Sequence, residues 1–139
     1  MFDFKIINSP DHYLLGRSIE PIEVIESWSL CHHLACVVKY IARCGRKENA
    51  NQDLKKAEWY LERKLILLHG RSSMYPVNIY RGNEIPLMDV SQDWQLPDNL
   101  GQVLGLLKTN ALRSIRIANL SQALETLQAE IQKYEEENS

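Results

Sequence analysis

The sequence predicts a mainly α fold: a small helical domain, a short irregular or hairpin insertion, and a C-terminal amphipathic helix. Two observations carry this reading. Apolar residues recur at spacings of three and four along much of the 139 residues, the period of a helix with one buried face. Proline and glycine stand where helices would start and stop, at Pro21, Gly45, Gly70 and Pro97, and punctuate residues 71–97 too densely for a long helix to cross.

Residues 1–20 read as an irregular lead-in, with a turn at Ser9-Pro10-Asp11 and Gly16 shortly after. Pro21 suits the first position of a helix, and Ile22, Ile25 and Trp28 follow at spacing three. Glu20, Glu23 and Glu26 lie between them, acids near a helix start as the macrodipole favours. Leu34, Val37, Val38 and Ile41 define a second helix from about His32 to Arg43, closed at Cys44-Gly45. After a polar connection, Asn51 or Gln52 opens a third. Leu54, Ala57, Tyr60 or Leu61, Leu65 and Leu68 form its stripe, and Gly70 ends it.

Between residues 71 and 97, Val77-Asn78-Ile79-Tyr80 alternates as a short strand would, with Arg81-Gly82-Asn83 as a turn into Ile85-Pro86-Leu87. A small hairpin and a tethered loop fit equally well. Helix returns after Pro97-Asp98, carried by Leu100, Leu104, Leu107 and Ala111 and extended by Leu112 and Ile115. Gly101 and Gly105 weaken that helix intrinsically but let a neighbour approach closely. Asn119 or Ser121 then caps a last helix with Leu120, Leu124, Leu127, Ile131 and Tyr134 on a seam about two heptads long. Three segments result: a helical domain over 1–70, an irregular or hairpin connection over 71–97, and a C-terminal helical region over 98–139 that assembles subunits. No internal sequence repeat stands out.

With 45% hydrophobic and 24% charged residues the chain reads as an ordinary globular protein. A net charge of −2 argues against a long nucleic acid as partner. The charge is unevenly placed, however. Lys39, Arg43, Arg46, Lys47, Lys55 and Lys56 crowd one stretch, opposed there only by Glu48 and Asp53, and the tail carries Glu135, Glu136 and Glu137. A local basic patch on a near-neutral chain suits a small anion such as a nucleotide. Cys31, Cys36 and Cys44 read as reduced thiols, and no spacing indicates zinc. The N-terminus has no basic segment leading into an apolar run, and no stretch approaches membrane-spanning length. The expectation is a cytoplasmic protein with no membrane partner.

Candidate chemistry concentrates in the second and third helices. Lys39 and Arg43 are four residues apart on one face, with Tyr40 beside them, and Arg46 and Lys47 follow at the helix end. Arginine offers phosphate a planar fork and lysine a point charge. Without a ligand the same residues are simply cations favoured at a helix C-terminus. Lys55 and the adjacent Trp59 and Tyr60 extend the patch along the next helix, where an aromatic ring can stack a base. Glu23 and Glu26, with Asp53 opposite, are candidate ligands for a magnesium ion bridging phosphates. His12, followed by Tyr13 after the Ser-Pro-Asp turn, is a candidate phosphate donor or general acid–base group. His32, His33 and His69 look incidental. No P-loop, dinucleotide-binding glycine motif or nucleophile elbow occurs.

Asp11-His12-Tyr13, Ile22-Glu23-Val24-Ile25-Glu26, Trp28, Leu34, Val38-Lys39-Tyr40-Ile41-Ala42-Arg43, Gly45-Arg46-Lys47, and Asp53-Leu54-Lys55-Lys56-Ala57 with Trp59-Tyr60-Leu61 together resemble a small phage-type domain. That family is described as SaV-like or nucleotide-kinase-like. The resemblance implies nucleotide binding. In one coliphage member it implies phosphorylation of deoxynucleoside monophosphates by a large oligomer that has no P-loop. Cys36 and Cys44 depart from the small residues expected at those positions. Asp53-Leu54-Lys55-Lys56-Ala57-Glu58-Trp59-Tyr60-Leu61 is also similar to the acidic helix of all-α MazG-type pyrophosphatases, although Lys56 and Ala57 stand where an acid is expected.

The expected function is therefore a nucleotide-binding homo-oligomer acting as a P-loop-less nucleoside monophosphate kinase with ATP and Mg2+, in a bacterial or phage-infected cell. Arg43, Arg46 and Lys47 would neutralise phosphates, Lys39 would meet the transferred group, and an aromatic ring would hold the base. The alternative is a non-catalytic oligomeric binder that sequesters a nucleotide or nucleotide-derived signal.

Overall fold

The computed structural model describes residues 17–44, 50–70, 85–108 and 113–137. Among these there are six helices and no strand: α1 (Pro21–Ser27), α2 (His32–Arg43), α3 (Ala50–Gly70), α4 (Leu87–Asp93), α5 (Asp98–Leu107) and α6 (Arg113–Glu137). The mainly α expectation holds. The expected strand at residues 77–80 and its turn lie outside the described residues.

Local signals explain the first three helices. Pro21 occupies the first turn of α1, and the Glu23 carboxylate accepts the Glu20 N–H at 2.9 Å, satisfying one of the donors a helix start leaves open. Leu34, Val37, Val38 and Ile41 of α2 are fully buried, as their spacing predicts. On α3 it is Leu61, not Tyr60, that continues the buried stripe of Leu54, Ala57, Leu65 and Leu68.

Three expectations need correction. Residues 87–93 form α4 inside the stretch read as irregular. Pro86 sits at its N-cap, where a proline breaks no helical hydrogen bond, and a seven-residue helix with Val90 as its buried residue leaves almost no periodicity to read. The last helix begins at Arg113, not at Asn119 or Ser121, because no proline or glycine interrupts residues 113–137. Ile115, expected to extend an apolar face, is half exposed. Gly101 and Gly105 do admit a neighbour: a Cβ at Gly105 would stand 2.8 Å from Leu87, and one at Gly101 3.1 Å from the Ser91 hydroxyl, so α4 rests directly on α5.

Although no repeat stands out in the sequence, the six helices are two copies of one three-helix unit. A constant offset of 66 positions relates α1–α2–α3 to α4–α5–α6. It pairs Val24 with Val90, Trp28 with Trp94, Leu34 with Leu100, Val37 with Val103, Val38 with Leu104 and Ile41 with Leu107. It also pairs Leu54 with Leu120, Ala57 with Ala123, Leu61 with Leu127, and Leu65 with Ile131. Every one of these side chains is buried in the common core. The turn after each short helix repeats too. Ser29 (φ 53°) and Gln95 (φ 52°) both lie in the left-handed region, and Leu30 N–H to Ile25 O and Leu96 N–H to Ser91 O are both 3.1 Å.

The two units clasp each other reciprocally. Trp28 Nε1 donates to the Ile85 carbonyl at 2.8 Å, and Trp94 Nε1 donates to the Ile19 carbonyl at 2.8 Å. The Ile85 N–H donates to Ser27 Oγ at 2.7 Å, and the Ile19 N–H to Asp93 Oδ2 at 2.8 Å. Contacts that recur with the roles exchanged are the mark of a two-fold interface. α3 and α6 pack on each other across it, with α2 against α3 and α5 against α6. The heptad-like seam of α6 is therefore covered within the chain: Leu120, Leu127 and Ile131 are buried, and Leu124 and Tyr134 pack beside them.

Two consequences are measurable. A left-handed conformation costs a residue with a Cβ roughly 1–2 kcal/mol, part of which glycine recovers against its greater freedom when unfolded. Ser29→Gly and Gln95→Gly should each raise the stability by about 0.5–1 kcal/mol in urea unfolding. Asp93 sets an acid limb. Burial pushes its carboxyl up, but the Ile19 and Ser18 donors and nearby Arg17 outweigh this and hold it below the usual value. Its contribution is thus present above its unfolded pKa and lost as pH falls through the lower folded value. The stability gap between the wild type and Asp93→Asn should shrink as the pH is lowered through that range.

Candidate functional site

One face of the first repeat gathers polar and aromatic side chains along the margin of the core. His32, Cys36, Tyr40 and Arg43 recur along α2 at spacings of four and three, and Asp53, Lys56 and Tyr60 do the same along α3. The helices run antiparallel, so His32 lies beside Tyr60 and Arg43 beside Asp53.

At the centre, the Tyr40 and Tyr60 rings stack with centroids 5.9 Å apart and planes 19° from parallel. The Arg43 guanidinium sits 5.8 Å and the Lys56 ammonium 5.5 Å from the Tyr40 ring centre, so two cations gather around one aromatic ring. Trp59 meets Tyr60 edge-on at 5.0 Å and is 57% exposed, an arrangement a core tryptophan would not adopt. His32 and His33 approach Tyr60 edge-on at 6.2 and 6.3 Å, and Cys36 Sγ lies 3.8 Å from His32 Nε2.

The titration behaviour follows from this crowding. Burial, followed by electrostatic repulsion from His32 and from the cations Lys64 and Arg63, holds the His33 imidazole below its usual value. It is neutral at pH 7, with one nitrogen to donate and one to accept. The neighbouring Cys36, then partial burial and Tyr40, hold the Tyr60 phenol above its usual value, so it keeps its proton and can donate.

One end of the face has a buried polar floor. Asp53 is 3% exposed, and its Oδ2 lies 3.9 Å from Arg43 Nε, an ion pair too long to be a hydrogen bond. Both of those atoms and Asn51 Oδ1 are buried without a protein hydrogen-bond partner. Beyond them, Cys44 Sγ contacts the Tyr134 hydroxyl at 3.3 Å, and burial pushes the Cys44 thiol up. The second repeat thus closes this end of the first.

The expected site residues divide accordingly. Tyr40, Arg43 and Trp59 come together on this face, and Lys39 is exposed one turn from Arg43 on α2. Lys55 instead pairs with Glu135 of α6 at 3.0 Å, which lowers the Glu135 pKa. The expected magnesium ligands do not converge: Glu23 serves the start of α1, Glu26 is exposed on the same helix, and Asp53 is buried against Arg43. Among the described residues no three acidic, histidine or cysteine side chains are grouped to hold a metal ion. His12, Tyr13, Arg46 and Lys47 lie outside the described residues. His32, His33 and Cys36 were not expected there, although helical spacing back from Tyr40 would have found all three; Lys56 and Tyr60 of the basic, aromatic stretch join them.

The second repeat provides a control. At the positions of His32, His33, Cys36 and Tyr40 it carries Asp98, Asn99, Gln102 and Leu106, and for Lys56, Trp59 and Tyr60 it carries Gln122, Glu125 and Thr126. The ten paired core positions stay apolar, while these seven face positions keep none of the aromatic rings or cations. The scaffold therefore does not require them. Among the described residues no helix is long and apolar enough to cross a membrane.

No curated protein and no solved structure matches the chain. A family model described as a protein of unknown function (DUF3310) matches residues 7–62, which span α1, α2 and the first part of α3, and so contain the whole aromatic and cationic face.

Proposed function

We propose that the α2–α3 face of the first repeat binds a nucleotide. The observation that carries this reading is the Tyr40–Tyr60 stack with Arg43 and Lys56 over it, present in one repeat and missing from the other. Stacked rings with an exposed tryptophan alongside offer a base a sequence-tolerant platform. Arg43, Lys39 and Lys56 surround that platform with positive charge for phosphate oxygens, and Arg46 and Lys47 follow next in the sequence. Asp53 and Asn51 at the floor are acceptors for a sugar hydroxyl or an exocyclic amine.

Phosphoryl transfer to a deoxynucleoside monophosphate, with ATP and Mg2+, is the reaction the family resemblance adds to this binding reading. Transfer depends mainly on positioning and charge neutralisation, which a basic face supplies. Lys39 would then meet the transferred group and His12 would serve as the acid–base residue. Sequestration without turnover uses the same contacts. Either role would be carried out in the cytoplasm of a bacterial or phage-infected cell.

Thermal-shift screening of the full chain against nucleotides, with and without Mg2+, tests the proposal. A ligand at a hundred times its Kd stabilises by about 2.7 kcal/mol. A rise in Tm is expected for at least one nucleotide, and none across the panel would defeat the reading. ADP formation from ATP and a monophosphate then separates turnover from sequestration.

A further inference from the structure

We infer that the second repeat is a blank scaffold copy of the first, standing within the chain where a second copy would otherwise pair. Three observations carry this. The clasp is reciprocal: Trp28 reaches Ile85 and Trp94 reaches Ile19, positions that exchange under the same 66-residue offset. α3 and α6, each already packed on a helix of its own unit, also pack on each other, covering surface that a lone three-helix unit would leave to solvent. A unit of that size buries too little surface to stand securely alone, so pairing is a structural need. On the face where the first copy holds aromatic rings and cations, the second holds Leu106, Gln122, Glu125 and Thr126.

The chain is thus a two-fold dimer in one polypeptide, with one ligand face and one silent face. Its pairing surfaces are already occupied, so it needs no second chain to complete its core. Asymmetry also lets the second repeat support the first: Tyr134 and Glu135 of α6 close the Arg43–Asp53 end through Cys44 and Lys55. The offset positions carry Leu68, His69, Asn110 and Ser121, which lack the phenol, carboxylate, thiol and ammonium for the same pairings in the other direction.

The number of sites rests on the nucleotide reading, whereas the pairing does not, and the test separates them. Sedimentation equilibrium of the full chain should give the 16.1 kDa monomer; a stable dimer or larger assembly would overturn the inference. Calorimetric titration with deoxyadenosine monophosphate should give one site per chain. In the same chain carrying Leu106→Tyr, Thr109→Arg, Gln122→Lys and Thr126→Tyr, the counterparts of Tyr40, Arg43, Lys56 and Tyr60, it should give two. A single site in that folded variant, or failure of the variant to fold, would overturn the equivalence of the two faces. If the wild type binds no nucleotide, the nucleotide reading falls, and sedimentation alone decides the pairing.

Discussion

Trp94→Ala is expected to cost about 3–5 kcal/mol of stability, among the largest effects a single substitution in this chain should have. The indole is 3% exposed in the common core, and it carries one half of the clasp through its 2.8 Å bond to the Ile19 carbonyl. Alanine would leave a cavity and strand that carbonyl, and the Arg17 guanidinium, 5.5 Å over the ring, would lose this aromatic contact. At roughly 2–8 °C per kcal/mol for domains of this range, the melting temperature should fall by about ten degrees or more. Trp28→Ala should behave alike, since Trp28 makes the matching bond to Ile85. Trp94→Phe retains much of the volume and removes the donor, so about 1 kcal/mol should be lost. Far-UV circular dichroism in urea would read all three. A loss below about 1 kcal/mol for Trp94→Ala would contradict a clasp that holds the repeats together.

The second large effect is on affinity. Tyr40→Leu with Tyr60→Thr installs, at each position, the residue the second repeat already accepts there. The substitutions therefore preserve the scaffold while removing the stack. Nucleotide affinity should fall by roughly ten- to hundredfold, the scale of losing an aromatic platform under a base. Adding Lys56→Gln should weaken binding further and flatten its dependence on salt, because one fewer cation meets phosphate. Alanine at Arg43 is a less clean probe, since it also leaves the buried Asp53 carboxylate without its neighbouring charge. Equal affinity in the Tyr40→Leu, Tyr60→Thr chain would move the site elsewhere.

Much of this architecture was legible in the sequence. The stripes of α2 and α3 and the start of α5 follow directly from apolar spacing and from Pro21, Gly70 and Pro97. Helix α4 was not legible, because seven residues with a single buried valine do not complete a pattern. The repeat was harder still. Its two copies share mainly core residues, and leucine, valine and alanine at helical spacing look the same in unrelated helices. The reciprocal bonds of Trp28 with Ile85 and Trp94 with Ile19, and of Ser27 and Asp93 with the same two isoleucines, turn that periodicity into a two-fold relation.

The candidate site was legible in part. Tyr40, Arg43 and Trp59 stood out by residue type, but a sequence does not say which helix faces which. The packing of α2 on α3 brings His32, His33 and Tyr60 to the same place, and Lys55 is set against Glu135 instead of joining this face. The seam of α6 illustrates the same limit. Its spacing requires a partner, and the structure supplies that partner from within the chain.

Trp59 allows the central claim to be read directly, since Trp28 and Trp94 are buried and Trp59 alone of the three tryptophans is exposed, at the rim of the Tyr40–Tyr60 stack. Titrating the full chain with deoxyadenosine monophosphate while following tryptophan emission should give a saturable change. That change should vanish in Trp59→Phe and shift to higher concentration in the Tyr40→Leu, Tyr60→Thr chain. Emission that does not respond to nucleotide, or a response that survives both sets of substitutions unchanged, would contradict a nucleotide site on this face.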